Sequence, residues 1–169
     1  MKQLKNLVLA AVLLIGGTSI MNAQSKVAHI NTQELVAAMP ATKAAQAEME
    51  KVGKTYQVQI EEMQNELKAK VTRYEAEAAT QTDEENQKRA EEVYGIRQSI
   101  AQFQQQADQE LQKKQFDLLK PITEQAREAI LKVALAQGFQ YVLDSTQGQG
   151  VILADGKDLM EDVKKELGF

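Results

Sequence analysis

From Met49 to Tyr74 the apolar residues fall at Met49, Val52, Tyr56, Ile60, Met63, Leu67, Val71 and Tyr74, with gaps of 3, 4, 4, 3, 4, 4 and 3. That repeat closes every eleven residues. It predicts a long helix with one narrow apolar seam and an almost straight or slightly right-handed coil. A second seam of similar period follows: Val93, Ile96, Ile100, Phe103, Ala107 and Leu111, then, past polar Lys114, Leu118, Ile122, Ala126, Ala129 and Val133. Two such seams in succession predict an antiparallel hairpin that buries one against the other. "TDEE" at Thr82–Glu85 is a helix-starting capping box, so the chain is expected to turn near residues 80–83. The two prolines, Pro40 and Pro121, stand nearly symmetrically about residue 81 and are expected level with each other at the hairpin's base. An arm over 41–120 has two legs of about 40 residues, roughly 60 Å long at the helical rise per residue. Gly53 and Gly95 lie inside the legs and are expected to make them bendable.

The pattern differs on either side of the arm. "KVAHI" at 26–30 reads as a strand, and Asn31 caps a short helix with Glu34 at its third position. Gly138 reads as the C-cap of the long helical region. Beyond it, "QYVLD" (140–144) and "VILA" (151–154) read as two strands joined by "STQGQG". Asp155 and Gly156 make a turn, and Asp158 caps a last helix, with Glu161 at the third position and Leu159, Val163 and Leu167 on one face. The expected fold class is α+β, mainly α: a hairpin arm on a small body made of residues 24–40 and 121–169. Three strands this short leave open edges and uncovered faces. A homo-oligomer joined through the strands is therefore expected, with Val27, Ile30, Val142, Leu143, Val151, Ile152 and Leu153 at its interface.

Composition agrees with long solvated helices. Of 169 residues, 26% are charged, only 5% are aromatic and none is Trp, which is thin filling for a compact core. The first 23 residues carry Lys2 and Lys5, an apolar run from Leu7 to Ile15, then small and polar residues. This is the layout of an export signal, expected to be cut after Ala23, although Met21 is larger than the residue favoured there. Nine apolar residues fall short of the roughly 20 that a spanning helix needs. The absence of Cys excludes disulfides and thiol-linked lipid anchoring. Two of the 20 basic residues belong to the signal, so 18 remain against 24 acidic ones, a net charge of −6 that argues against nucleic-acid binding.

No catalytic constellation emerges. The lone His29 sits in a predicted strand, and the carboxylates are interleaved with Lys and Arg on helix faces. "GQG" at Gly148–Gly150 joins strands instead of opening a helix, so it is a weak phosphate-loop signal. No metal, cofactor or enzymatic activity is expected.

An export signal, the opening "KVAHINTQELVAAMPATKAA", a long Gln- and Ala-rich hairpin and the ending "GFQYVLDSTQGQGVIL" together resemble the Skp/OmpH family of periplasmic chaperones. The resemblance covers the mature chain and is sharpest in the first strand with "QELVAAMP" and in the "YVLD…VIL" pair. It implies a homotrimer whose strands form a small β-barrel body. It also implies helical arms around a cavity that holds unfolded outer-membrane proteins without ATP. Well-known members are basic, whereas residues Ala41–Gln137 here hold 14 basic and 17 acidic residues. This balance argues against attachment to lipopolysaccharide or an anionic membrane surface and shifts client capture towards apolar contact. Off-seam candidates for that contact are Val58 and Ala69 on the first leg and Tyr94, Ala101, Phe116 and Leu119 on the second. A competing reading is an exported coiled-coil spacer or adaptor of the cell envelope.

Overall fold

The computed structural model describes residues 25–169; the expected export signal and its cleavage point lie outside the described residues. Strand β1 (Val27–Ile30) leads into helix α1 (Thr32–Ala38). Asn31 caps α1 as its spacing with Glu34 predicts, its side-chain oxygen accepting from the Glu34 N–H at 3.0 Å. Met39 ends α1 with φ −62° and ψ 133°, the extended backbone imposed on a residue that precedes proline. Pro40 then opens α2 (Pro40–Glu77) at its first position, where no amide donor is needed.

After a 3₁₀ turn at Ala78–Thr80, helix α3 runs from Asp83 to Ala136, 54 residues that pass through Pro121 without a break. Thr82 caps α3 by accepting from the Glu85 N–H at 3.2 Å, and three carboxylates occupy the first turn near the helix's positive end. Asn86 donates to the Ala78 carbonyl at 3.0 Å and ties the turn to the new helix.

The two long helices pack antiparallel in the expected register. Lys114 pairs with Glu48 at 3.5 Å and Lys70 pairs with Glu92, both couples lying symmetrically about residue 81. Between them the Tyr56 and Phe103 rings meet at 6.0 Å. All eight seam residues of α2 from Met49 to Tyr74 are half-buried while most of their neighbours are exposed. On α3, Ile100 and Ala107 are buried and Val93, Ile96, Phe103 and Leu111 half-buried. Two helices cannot enclose a seam, so the hairpin's apolar line stays partly wet along its length.

Gly138 closes α3 in the left-handed conformation (φ 73°), with Phe139 N–H reaching back to the Ala134 carbonyl at 2.9 Å. The chain then forms β2 (Tyr141–Asp144), β3 (Lys157–Asp158) and α4 (Met160–Leu167). The sheet order is β2-β1-β3, parallel throughout, with Ala28 beside Val142 on one side and Lys157 on the other. Its core joins Ile30, Leu35, Met39, Ile122, Ala126, Val133, Leu159 and Val163. Leu159 and Val163 are fully buried with Leu167 packed beside them, the face that their four-residue spacing predicts. Asp158 accepts from the Met160 N–H at 2.8 Å, but it ends β3, and the N-cap of the last helix is Leu159, one residue later than expected.

One strand differs from expectation. Val151–Ala154 is not a strand, and the third strand is the two residues Lys157–Asp158. Strand propensity in Val, Ile and Leu reflects packing against a neighbour more than a backbone preference. Within one chain, β1 is already flanked on both sides. The "VIL" segment is left without a partner, and Ile152 is fully exposed.

Candidate functional site: the hairpin surface and the sheet-end groove

Among the described residues no cluster of His, Cys, Asp or Glu is placed to hold a metal ion. His29 lies in the middle of β1, half-buried, with its Nδ1 3.2 Å from the Ser145 hydroxyl. Nearby, the Asp144 carboxylate joins β2 to the start of α1. It accepts from the Thr32 hydroxyl and the Thr146 hydroxyl at 2.6 Å each, and from the Thr146 and Thr32 N–H groups at 3.0 and 3.3 Å. Burial alone raises the pKa of this acid, but the Thr146 and Thr32 hydrogen bonds favour the charged form more strongly, and the pKa falls to about 2. The Thr146 hydroxyl also lies 2.9 Å from the Asn31 capping oxygen. This node anchors structure; it opens onto no assembled catalytic group.

The hairpin offers surface in place of a pocket of chemistry. Val58, Ala69, Tyr94, Ala101 and Phe116 are all exposed, and Tyr94 and Phe116 each keep 64% of their surface in solvent. Leu119 is half-buried against the core at the base of the hairpin. Near the tip, the Arg89 guanidinium stands 4.6 Å from the Tyr74 ring centre and pairs with Glu77 and Glu85 at 3.0 and 3.3 Å. Arg73 approaches the same ring at 5.2 Å. These contacts lock the tip; the sequence pattern alone gave Tyr74 only a seam position.

The expected interface residues divide three ways. Val27 and Leu143 on the strands are exposed, as are Ile152 and Leu153 beyond them. Val142 and Val151 are half-buried. Ile30, by contrast, is 1% exposed, its side chain already enclosed by the chain's own core. An apolar groove of about 460 Å³ opens beside it, lined by Val36, Ala126, Ile130, Leu131, Leu135 and Val142 among others, with Asp144 and Arg127 at its polar margin. Leu131 and Leu135 were not singled out from sequence. The signal was there: "ILKVALA" (130–136) is too apolar for a helix with one buried face.

Residues 26–167 match the family described as outer membrane protein (OmpH-like). The chain is 21% identical over 155 residues to the chaperone protein Skp of Pectobacterium atrosepticum, covering 92% of this chain and 93% of that protein. It is 24% identical over 145 residues to Skp of Photorhabdus laumondii, covering 86% and 87%. In fold it resembles an OmpH-like protein of Caulobacter crescentus with a TM-score of 0.77, at 17% identity over 86% of this chain and 85% of the other. Both Skp relatives are chaperones. With the match running from the first strand to the last helix, this chain belongs to the OmpH-like family.

Proposed function

We infer that this protein is an ATP-independent holdase of the periplasm that binds unfolded outer-membrane proteins between helical arms and keeps them from aggregating. The observation that carries the reading is the hairpin itself. A two-helix arm with a half-wet seam and exposed Val58, Tyr94 and Phe116 offers many weak apolar contacts and no enclosed site. Each such contact contributes on the order of 1 kcal/mol. A client is then retained by their number and released without a chemical step. Membership of a family whose relatives are chaperones supports the same reading.

Arms of this kind need a base that holds several together. The arm comprises residues 41–120 and the body residues 24–40 and 121–169. A trimer whose strands complete one another is the proposed form, supported by the exposure of Val27, Leu143, Ile152 and Leu153 in the single chain. With 14 basic against 17 acidic residues over 41–137, capture rests on apolar contact more than on attraction to anionic lipid.

The test is aggregation of an outer-membrane β-barrel protein diluted from urea, followed by light scattering, with chain mass measured on the same sample. Suppression near one oligomer per client, at a mass of about three chains, is the expected result. Combined Val58→Ser, Tyr94→Ser and Phe116→Ser substitutions are expected to weaken suppression at unchanged mass. A clean oligomer that leaves aggregation untouched would overturn the holdase reading in favour of an envelope spacer.

A further inference from the structure

Four of the exposed or half-exposed apolar residues on α3 fall on one line. Tyr94, Ala101, Phe116 and Leu119 are steps of a second helical stripe, beside the seam and about a third of a turn round from it. Between Tyr94 and Phe116 the remaining steps are Gln98, Gln105, Gln109 and Gln112, every one exposed. The gaps from Tyr94 to Leu119 run 4, 3, 4, 4, 3, 4 and 3, so the stripe keeps the period of the helix with no charged residue at any step. Gln98 already donates to the Tyr94 hydroxyl at 2.6 Å, a contact within the stripe. The equivalent stripe on α2, from Ala47 through Val58 to Ala69, has the same spacing but is interrupted by Lys51, Lys54 and Glu62. One leg of the hairpin therefore carries a continuous neutral ladder and the other does not.

Resting on the holdase reading, we propose that this glutamine ladder of α3 is the track on which an extended, uncharged segment of unfolded polypeptide lies. An unfolded strand presents unpaired N–H and C=O groups, and a glutamine amide can both donate and accept. Neutral amides give up water at lower cost than charged groups, so they can exchange it for the backbone of a client. Tyr94 at one end and Phe116 with Leu119 at the other supply apolar contact for the client's side chains. The ladder is about 37 Å long, the span of about eleven residues of extended chain. That is the length and alternating, largely uncharged character of a β-strand destined for an outer-membrane barrel.

The full-length mature chain carrying Gln98→Glu, Gln105→Glu and Gln112→Glu is compared with one carrying Gln57→Glu, Gln59→Glu and Gln64→Glu on the exposed surface of α2. Both gain three negative charges, so general electrostatics are matched. The probes are a urea-diluted outer-membrane β-barrel protein and a labelled peptide of about eleven residues alternating Val and Thr, read by fluorescence anisotropy. Expected are a loss of about tenfold in peptide affinity for the ladder variant and a change of under about twofold for the α2 variant. Equal losses in the two variants, or none in the ladder variant while the parent binds, would overturn the ladder. A parent chain that neither binds the peptide nor suppresses aggregation would overturn the holdase reading on which it rests. Circular dichroism and oligomer mass, unchanged in both variants, separate these outcomes from misfolding.

Discussion

At the scale of single residues the sheet end depends on one carboxylate with four donors around it. The sequence marked Asp144 only as the last residue of a strand. Its role follows from Thr32 and Thr146, which lie 112 and 2 residues away and are brought to it by folding. Its pKa is lowered from 3.8 to about 2 in the folded chain, so the charged form contributes stability that is present above about pH 4 and is lost as the pH falls towards 2. A shift of that size corresponds to roughly 2 kcal/mol. Asp144→Asn removes the titration while keeping the side chain's shape. In urea melts, the gap in stability between parent and variant is expected at pH 6 and should narrow steadily between pH 4 and pH 2. A gap that stays constant over that range would mean the carboxylate's charge contributes nothing. Asn31 and Glu34 present the opposite case, since a cap acts across three residues and is readable in sequence without knowing the fold.

At the scale of elements the hairpin was the most legible part. Its seam period, its capping Thr82 and its register about residue 81 are all local or repeating signals, and the helix pair reproduces each of them. Even Lys114, the polar step in the α3 seam, sits half-buried where the period places it, with its amine reaching Glu48. What sequence could not give was how firmly the pair holds. Gly53 and Gly95 have open space where a Cβ would project and ordinary helical backbone. Neither is required by packing. Each therefore weakens the helix by about 1 kcal/mol relative to Ala. Gly53→Ala with Gly95→Ala is expected to stabilise the hairpin by about 2 kcal/mol, seen as slower amide hydrogen exchange along residues 49–74 and 93–111. If bending of the arms serves client capture, the stiffened protein will also hold unfolded clients of differing size less evenly. Unchanged exchange would show that the glycines are not the weak points of the arms.

At the scale of the whole molecule the sequence signals fail where a segment finds no partner within its own chain. "VILA" reads as a strand because its residues favour burial on a sheet, yet a single chain leaves Ile152 and Leu153 in water. Leu131 and Leu135 on α3 are exposed for a related reason, flanking a groove that the chain's own elements leave open. Burying an Ile or Leu side chain contributes about 2 kcal/mol, so six such residues in the proposed trimer would supply on the order of 10 kcal/mol before the cost of association. That exceeds what a three-stranded sheet with open edges provides by itself. Ile152→Ser with Leu153→Ser is therefore expected to convert the proposed oligomer to single chains at micromolar concentration, measured by multi-angle light scattering. Both residues are exposed and neither belongs to the hairpin seam, so most helical circular dichroism should survive. Aggregation suppression should fall with the mass, because one arm encloses no cavity. A double variant that keeps the parent's mass would show that the exposed "VIL" segment is not part of the assembly, and the open groove beside Leu131 and Leu135 would become the surface to substitute next.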